Sequence, residues 1–279
     1  MRVLILAILL LALPAQAAPK AELWPRWTVH DPSSTLEIDH SAWGRFLRAY
    51  VSRDAAGIAR VGYGRVTPAD RALLQGYISA MQSADIDRFA RPEQRAFWIN
   101  LYNALTVETV LAHYPVASIR EIRISPGLFA SGPWGRKLAR VAGEALSLDD
   151  IEHRILRPIW RDPRIHYALN CASLGCPDLA AEPYLSARAE AQLDAAAFDF
   201  VNHPRGVSLE DGRLRVSSIY DWFREDFGGD DAGVLAHLVR HAAPDLRARL
   251  GGIARVSAHF YDWRLNDAGQ STANSSAFR

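Results

Sequence analysis

The apolar positions along this chain change period several times, and the changes divide it into elements. "SAWGRFLRAYV" places Trp43, Phe46, Leu47 and Tyr50 at helical spacing, with Arg45 and Arg48 off that face. "TPADRALLQGYISAMQS" predicts a second helix, with Thr67 as N-cap and Pro68 at the first helical position. "RPEQRAFWINLYNALTVETVLAHYP" is the strongest helix: Pro92 sits near its start and Pro115 stops it. Phe97, Trp98, Ile99, Leu101, Tyr102, Leu105, Val107 and Val110 make it apolar almost all round, which predicts a central, buried helix. Its polar members are therefore informative. Glu93, Asn100 and Ala104 fall within about 20° of one line along the helix, and Asn103 about 80° away. Buried amides must find partners.

Beyond Pro115 the pattern shortens. "SIREIRIS" alternates as a strand does, and a hairpin about Gly143 follows a glycine-rich loop. "SLDDIEHRILR" reads as a helix with Ser147 as N-cap and Asp150 at the capping-box position. His153, in its charged run, is expected at the surface. "RIHYALN" alternates again, with Ile165, Tyr167 and Leu169 on one face and His166, Ala168 and Asn170 on the other. It reads as a strand entering a loop that holds both cysteines, Cys171 and Cys176. Helices return around 186–202 and 230–250, and "GRLRVSSIYDWFREDFGG" predicts a short strand followed by an aromatic helix. Short strands between irregular helices indicate an α+β fold, with a helical N-terminal part and the central helix packed on a small mixed or antiparallel sheet.

The first residues change the picture. "MRVLILAILLLALPAQAAPK" has a positive start, an apolar run about half the length needed to span a bilayer, and a small-x-small site ending at Ala17. It predicts a signal peptide over 1–17, export to the periplasm or beyond, and no stable membrane anchor after cleavage. Residues 18–84 then form a helical N-terminal extension, 85–265 the core, and 266–279, small and polar, a disordered tail. The chain has 32 Lys and Arg against 31 Asp and Glu, so no strong field selects nucleic acid. No glycine-rich phosphate loop follows a strand, and no cofactor is expected.

"RAFWINLYNALTV", "LSLDDIEHRILR", "DPRIHYALNCASLGCPDL", "IYDWFREDFGG" and "YDWRLN" occur in that order. Together they resemble the domain of unknown function 547 family, over roughly residues 85–230 with the last motif outlying. The resemblance implies membership among exported bacterial proteins; the family also includes plant proteins with added coiled-coil segments. It implies little about activity. The family pattern carries both cysteines, the histidine and the asparagines, here Cys171, Cys176, His166, Asn100 and Asn103, with Glu93 upstream.

Three chemistries are open to these residues. A cysteine nucleophile needs a lowered pKa or a neighbouring base, and a group that orients the base. Cys176, in a glycine-containing loop before Pro177, is the expected nucleophile; His166 is the base, and Asn100, Asn103 or Glu93 orients it or holds an oxyanion. Strand alternation buries Cys171 and exposes Cys176. This cast is similar to that of papain-like and transglutaminase-like enzymes, in a different chain order. Alternatively, Cys171 and Cys176 form a disulfide, the default for two cysteines in an exported protein. Zinc held by His166 and both cysteines is disfavoured because the spacing matches no common ligand knuckle, and no metal is expected. Two functions follow: a thiol-dependent hydrolase or acyltransferase acting on a periplasmic peptide or cell-wall component, or a non-catalytic peptide-binding or assembly module with a structural disulfide.

Overall fold

Residues 19–127 and 130–269 are described by the structure, a computed structural model. The expected signal peptide and residues 270–279 of the expected tail lie outside these residues. Helix α1 (Ser41–Tyr50) leads into a hairpin of β1 (Val51–Arg53) and β2 (Ala59–Val61), then α2 (Pro68–Ser83). The Thr67 hydroxyl accepts the Asp70 N–H at 3.1 Å, so α2 begins at the predicted cap.

Helix α3 (Arg91–His113) is the centre of the larger apolar core, as its all-round apolar pattern requires: Ala96, Phe97, Ile99, Leu101, Ala104 and Val110 are wholly enclosed. It packs against α2 and a π-helical segment, Asp150–Leu156, that continues into α4 (Arg157–Trp160). Ser147 and Asp150 form the reciprocal cap expected at the start of this element, with Ser147 N–H to Asp150 Oδ2 at 2.8 Å and Asp150 N–H to Ser147 Oγ at 3.1 Å. The hairpin turning at Gly143 joins β3 (Ala139–Val141) to β4 (Glu144–Leu146).

Two expected strands are helical turns. "SIREIRIS" contains a 3-10 turn, Ile119–Glu121, in which Ile119 and Ile122 are buried three residues apart. Local side chains decide it: Ser118 Oγ accepts Arg120 N–H at 3.3 Å, and Glu121 Oε2 accepts Ala117 N–H at 3.0 Å. "RIHYALN" forms α5 (Ile165–Ala168), started by Asp162, whose Oδ1 accepts the Arg164 N–H at 2.9 Å. All four residues of α5 are buried, so the polar–apolar alternation there does not separate inside from outside.

The chain continues through α6 (Ala189–Val201), β5 (Val207–Glu210), β6 (Arg213–Ser217), α7 (Ile219–Trp222), α8 (Asp231–His241), α9 (Pro244–Leu250) and β7 (Ala258–Phe260). The pairs β5–β6 and β6–β7 run antiparallel and parallel, giving one small mixed sheet. The fold is α+β as expected. The sheet, however, serves a second apolar cluster around Tyr167, Phe200, Tyr220 and Leu238, while α3 packs against helices. Asn266 and Asp267, placed by expectation in the tail, are buried.

Candidate active site

The asparagines of α3 act on backbone. Asn100 donates through Nδ2 to Tyr184 O at 2.7 Å and accepts Tyr184 N–H at 3.0 Å. Asn103 donates to Ala168 O and accepts Asn170 N–H, both at 2.8 Å. Each amide thus pairs like a strand neighbour, satisfying groups that burial would otherwise leave costly. Glu93 Oε1 accepts Ile38 N–H at 2.9 Å and pins the N-terminal lead-in. None of the three is hydrogen-bonded to His166 or to a sulfur. Asn103 instead fixes the point where α5 gives way to the cysteine loop.

That loop is shaped from two sides. Asn170 Oδ1 accepts the Ala172 N–H at 3.0 Å and an N–H of Asn266 at 3.3 Å, while Asn170 Nδ2 donates to Pro177 O at 2.8 Å. Ala172 is held at φ +58°, a left-handed conformation that costs a residue with a β-carbon about 1–2 kcal/mol. The other side is the late "YDWRLN" segment, laid along the loop: Leu174 N–H bonds Arg264 O and Gly175 N–H bonds Asp262 O, both at 2.8 Å. A β-carbon on Gly175 would stand 2.6 Å from the Asp262 nitrogen, so only glycine permits this approach.

The clasp delivers Tyr261 to the sulfur. Its phenol oxygen lies 2.9 Å from Cys171 Sγ and 2.9 Å from Ser173 Oγ, and Ser173 Oγ lies 3.3 Å from Cys171 Sγ. Cys176 Sγ accepts the Cys171 N–H at 2.9 Å and faces Leu169 O at 3.5 Å. Cys171 is half-buried and Cys176 is 4% exposed, the reverse of the expected order. Strand alternation cannot apply here, because the segment is a helical turn followed by a loop. Both thiols are free, so the expected disulfide is absent. A hydrogen bond from Cys176, with those of Ser173 and Tyr261, holds the Cys171 thiol below its usual range against burial and the Glu152 charge. Burial, reinforced by Cys171, pushes the Cys176 thiol well up. Burial and the neighbouring sulfurs likewise raise the Tyr261 phenol, which stays a donor. Among the described residues no His, Cys, Asp and Glu cluster could hold a metal ion.

His166 lies in a separate charged network. Its Nε2 is 2.7 Å from Asp226 Oδ2 and its Nδ1 is 3.4 Å from Glu152 Oε1. Arg157 Nε donates to the same Asp226 oxygen at 2.6 Å, and Tyr102 Oη donates to Glu152 Oε2 at 3.1 Å. Phe223 stacks on the imidazole with ring centres 4.2 Å apart. Burial pushes the His166 pKa down, but hydrogen bonds to Asp226 and Glu152 outweigh it and hold the ring above its usual value. Burial pushes Glu152 up, and His153, His166 and Arg157 outweigh it and hold the carboxyl down to about 2. An imidazolium with both nitrogens on carboxylates has no lone pair for a thiol proton. His153, expected at the surface, is buried, with Nδ1 3.0 Å from Arg157 Nη1, and burial lowers its pKa to about 4.

Sequence reasoning missed Ser173, Tyr261, Glu152, Tyr102 and Asp226 as site residues. All five lie in the motifs that carry the family resemblance, Tyr102 in "RAFWINLYNALTV", Glu152 in "LSLDDIEHRILR", Ser173 in "DPRIHYALNCASLGCPDL", Asp226 in "IYDWFREDFGG" and Tyr261 in "YDWRLN". Glu152 also sits in the π-helical segment, a distortion common at functional sites.

Residues 86–201 match the model of the family described as "Protein of unknown function, DUF547". No curated protein and no solved structure matches the chain.

Proposed function

We propose, for a chain that belongs over residues 86–201 to the DUF547 family, a thiol-dependent acyl transfer or hydrolysis with Cys171 as nucleophile. The carrying observation is the pair of hydroxyls, Tyr261 and Ser173, gathered on the sulfur of the half-buried Cys171 at 2.9 and 3.3 Å. Hydrogen bonds to the ionised form favour it, and the thiolate is the reactive species. Cys171 loses its proton to solvent and attacks an acyl carbon. The C–S bond forms, the bond to the leaving oxygen or nitrogen breaks, and the leaving atom takes a proton relayed through the Tyr261 and Ser173 hydroxyls. Water or an amine then cleaves the thioester and frees the sulfur. The role shifts from Cys176 to Cys171, and the base from His166 to solvent, with the donors around Cys171 favouring its thiolate. Expected export makes a peptide or cell-wall acyl group the proposed substrate class.

The test is a burst assay with p-nitrophenyl acetate on the purified chain, with intact mass spectrometry to detect the acyl group. An acetyl group on Cys171, lost in Cys171→Ser and kept in Cys176→Ser, is the expected result. Equal labelling of both variants, or none of the wild type, sinks the reading.

A second reading, a non-catalytic peptide-binding module, draws on His166, whose two nitrogens both face carboxylates and leave the thiol without a histidine base. An intact thiol that never accepts an acyl group, in a protein that still retains peptides, supports it.

A further inference from the structure

Cys176 is not used by the acyl chemistry, yet it is the nearest neighbour of the nucleophile's own backbone. Its sulfur takes the Cys171 N–H at 2.9 Å. Only two carbon atoms separate that nitrogen from the Cys171 sulfur. Cys171 is half-buried, whereas Cys176 is almost fully enclosed, so a small oxidant reaches Cys171 first. The two hydroxyls around Cys171 Sγ, Tyr261 at 2.9 Å and Ser173 at 3.3 Å, stand where they can donate to an oxygen leaving from that sulfur.

We propose that Cys171 is an oxidative modification site for hydroperoxides and that Cys176 is its built-in resolving thiol. The proposal rests on Cys171 being the reactive sulfur. In the first step Cys171 attacks one oxygen of the hydroperoxide: the S–O bond forms and the O–O bond breaks. The leaving alkoxide, or hydroxide from hydrogen peroxide, takes a proton from the hydroxyl pair, which regains it from solvent, and departs as alcohol or water, while the sulfur is oxidised by two electrons to the sulfenic acid. In the second step the Cys176 sulfur, releasing its proton, attacks the Cys171 sulfur. The S–S bond forms, the S–O bond breaks, and water leaves with that proton. The resting protein holds two free thiols, so the Cys171 sulfur must move onto the Cys176 sulfur before the bridge can form. Oxidation therefore changes the sulfur beside Tyr261, which packs against Trp222 and Trp263 with ring centres 4.7 and 4.6 Å away. The bridge protects the nucleophile from further oxidation and shuts off the acyl chemistry until a dithiol reductant, oxidised in turn to its own disulfide, restores both thiols.

The experiment treats the purified full chain with one equivalent of hydrogen peroxide and reads intact mass, dimedone trapping and tryptophan emission. Wild type is expected to lose two hydrogen atoms, trap little dimedone and change its tryptophan emission. Cys176→Ser is expected to trap at least about tenfold more dimedone on Cys171, and Cys171→Ala to stay unmodified. Cys176→Ala, with circular dichroism on both variants, separates loss of resolution from loss of fold. Equal trapping by wild type and a folded Cys176 variant overturns the proposal, as does an intermolecular dimer or first oxidation at Cys176. If Cys176→Ser still acquires an acetyl group from p-nitrophenyl acetate, the acyl reading survives that failure.

Discussion

The phenol oxygen of Tyr261 lies 2.9 Å from the Cys171 sulfur, across ninety residues of sequence. A donor at that distance acts on the thiolate and not on the thiol, so its effect is read in the ionisation of Cys171 more than in the stability of the fold.

Tyr261→Phe removes one donor and keeps the ring against Trp222 and Trp263. The thiol pKa of Cys171 should rise, and the alkylation rate at neutral pH should fall by up to about tenfold. Iodoacetamide kinetics over a pH series, in a Cys176→Ser background, measure it. An unchanged profile would remove Tyr261 from the site.

Asn103→Ala leaves Ala168 O and Asn170 N–H buried without their partner. The expected loss is about 2–4 kcal/mol of unfolding free energy, read by urea denaturation. Asn100→Ala should cost a similar amount through Tyr184. If both amides are scaffold, alkylation of Cys171 in the folded fraction stays near wild type for Asn100→Ala. A selective loss of reactivity there would restore a catalytic role.

The charged network predicts a stability plateau with two edges. His166 is raised in the folded state, so its contribution is complete below its unfolded value, about 6.5, and fades as pH rises through the higher folded value. Glu152 is lowered to about 2, so its contribution is present above its unfolded value, about 4.3, and is lost as pH falls toward 2. The destabilisation caused by His166→Gln should therefore be largest near pH 5–6 and shrink by about pH 9, measured by guanidinium denaturation across that range. A gap that widens with pH would contradict the paired imidazolium.

Gly175→Ala sets a β-carbon 2.6 Å from the Asp262 nitrogen. Pushing the late segment away should cost about 1–3 kcal/mol and lower Cys171 reactivity along with it. Chemical denaturation and alkylation on one sample test both. A loss of stability with full reactivity would mean that the clasp does not position Tyr261.

The central helix was legible because its signal is local and redundant: seven of the predicted apolar positions in α3 are buried at 2% exposure or less, and Pro92 and Pro115 bound it. Thr67, Ser147 and Asp150 were legible for the same reason, since a cap acts over three residues. His166 and the cysteines were found as residues but misread in orientation. Alternation of polarity over seven residues looks the same whether the segment is a strand or a turn buried on every side, and Asp162 decides for the turn. Tyr261 and Asp226 were not legible as partners, because nothing local ties a tyrosine to a sulfur ninety residues away or an aspartate to a histidine sixty away.

The clasp at Gly175 also sets an order in time. Cys171 is translated long before Tyr261, Asp262, Arg264 and Asn266, which shape its loop and its ionisation. A nascent chain that has emerged only as far as β7 holds the sulfur without the Tyr261 donor. On the proposed role the full reactivity of Cys171 arrives only with residues 261–266, and a copy trimmed before them should alkylate more slowly.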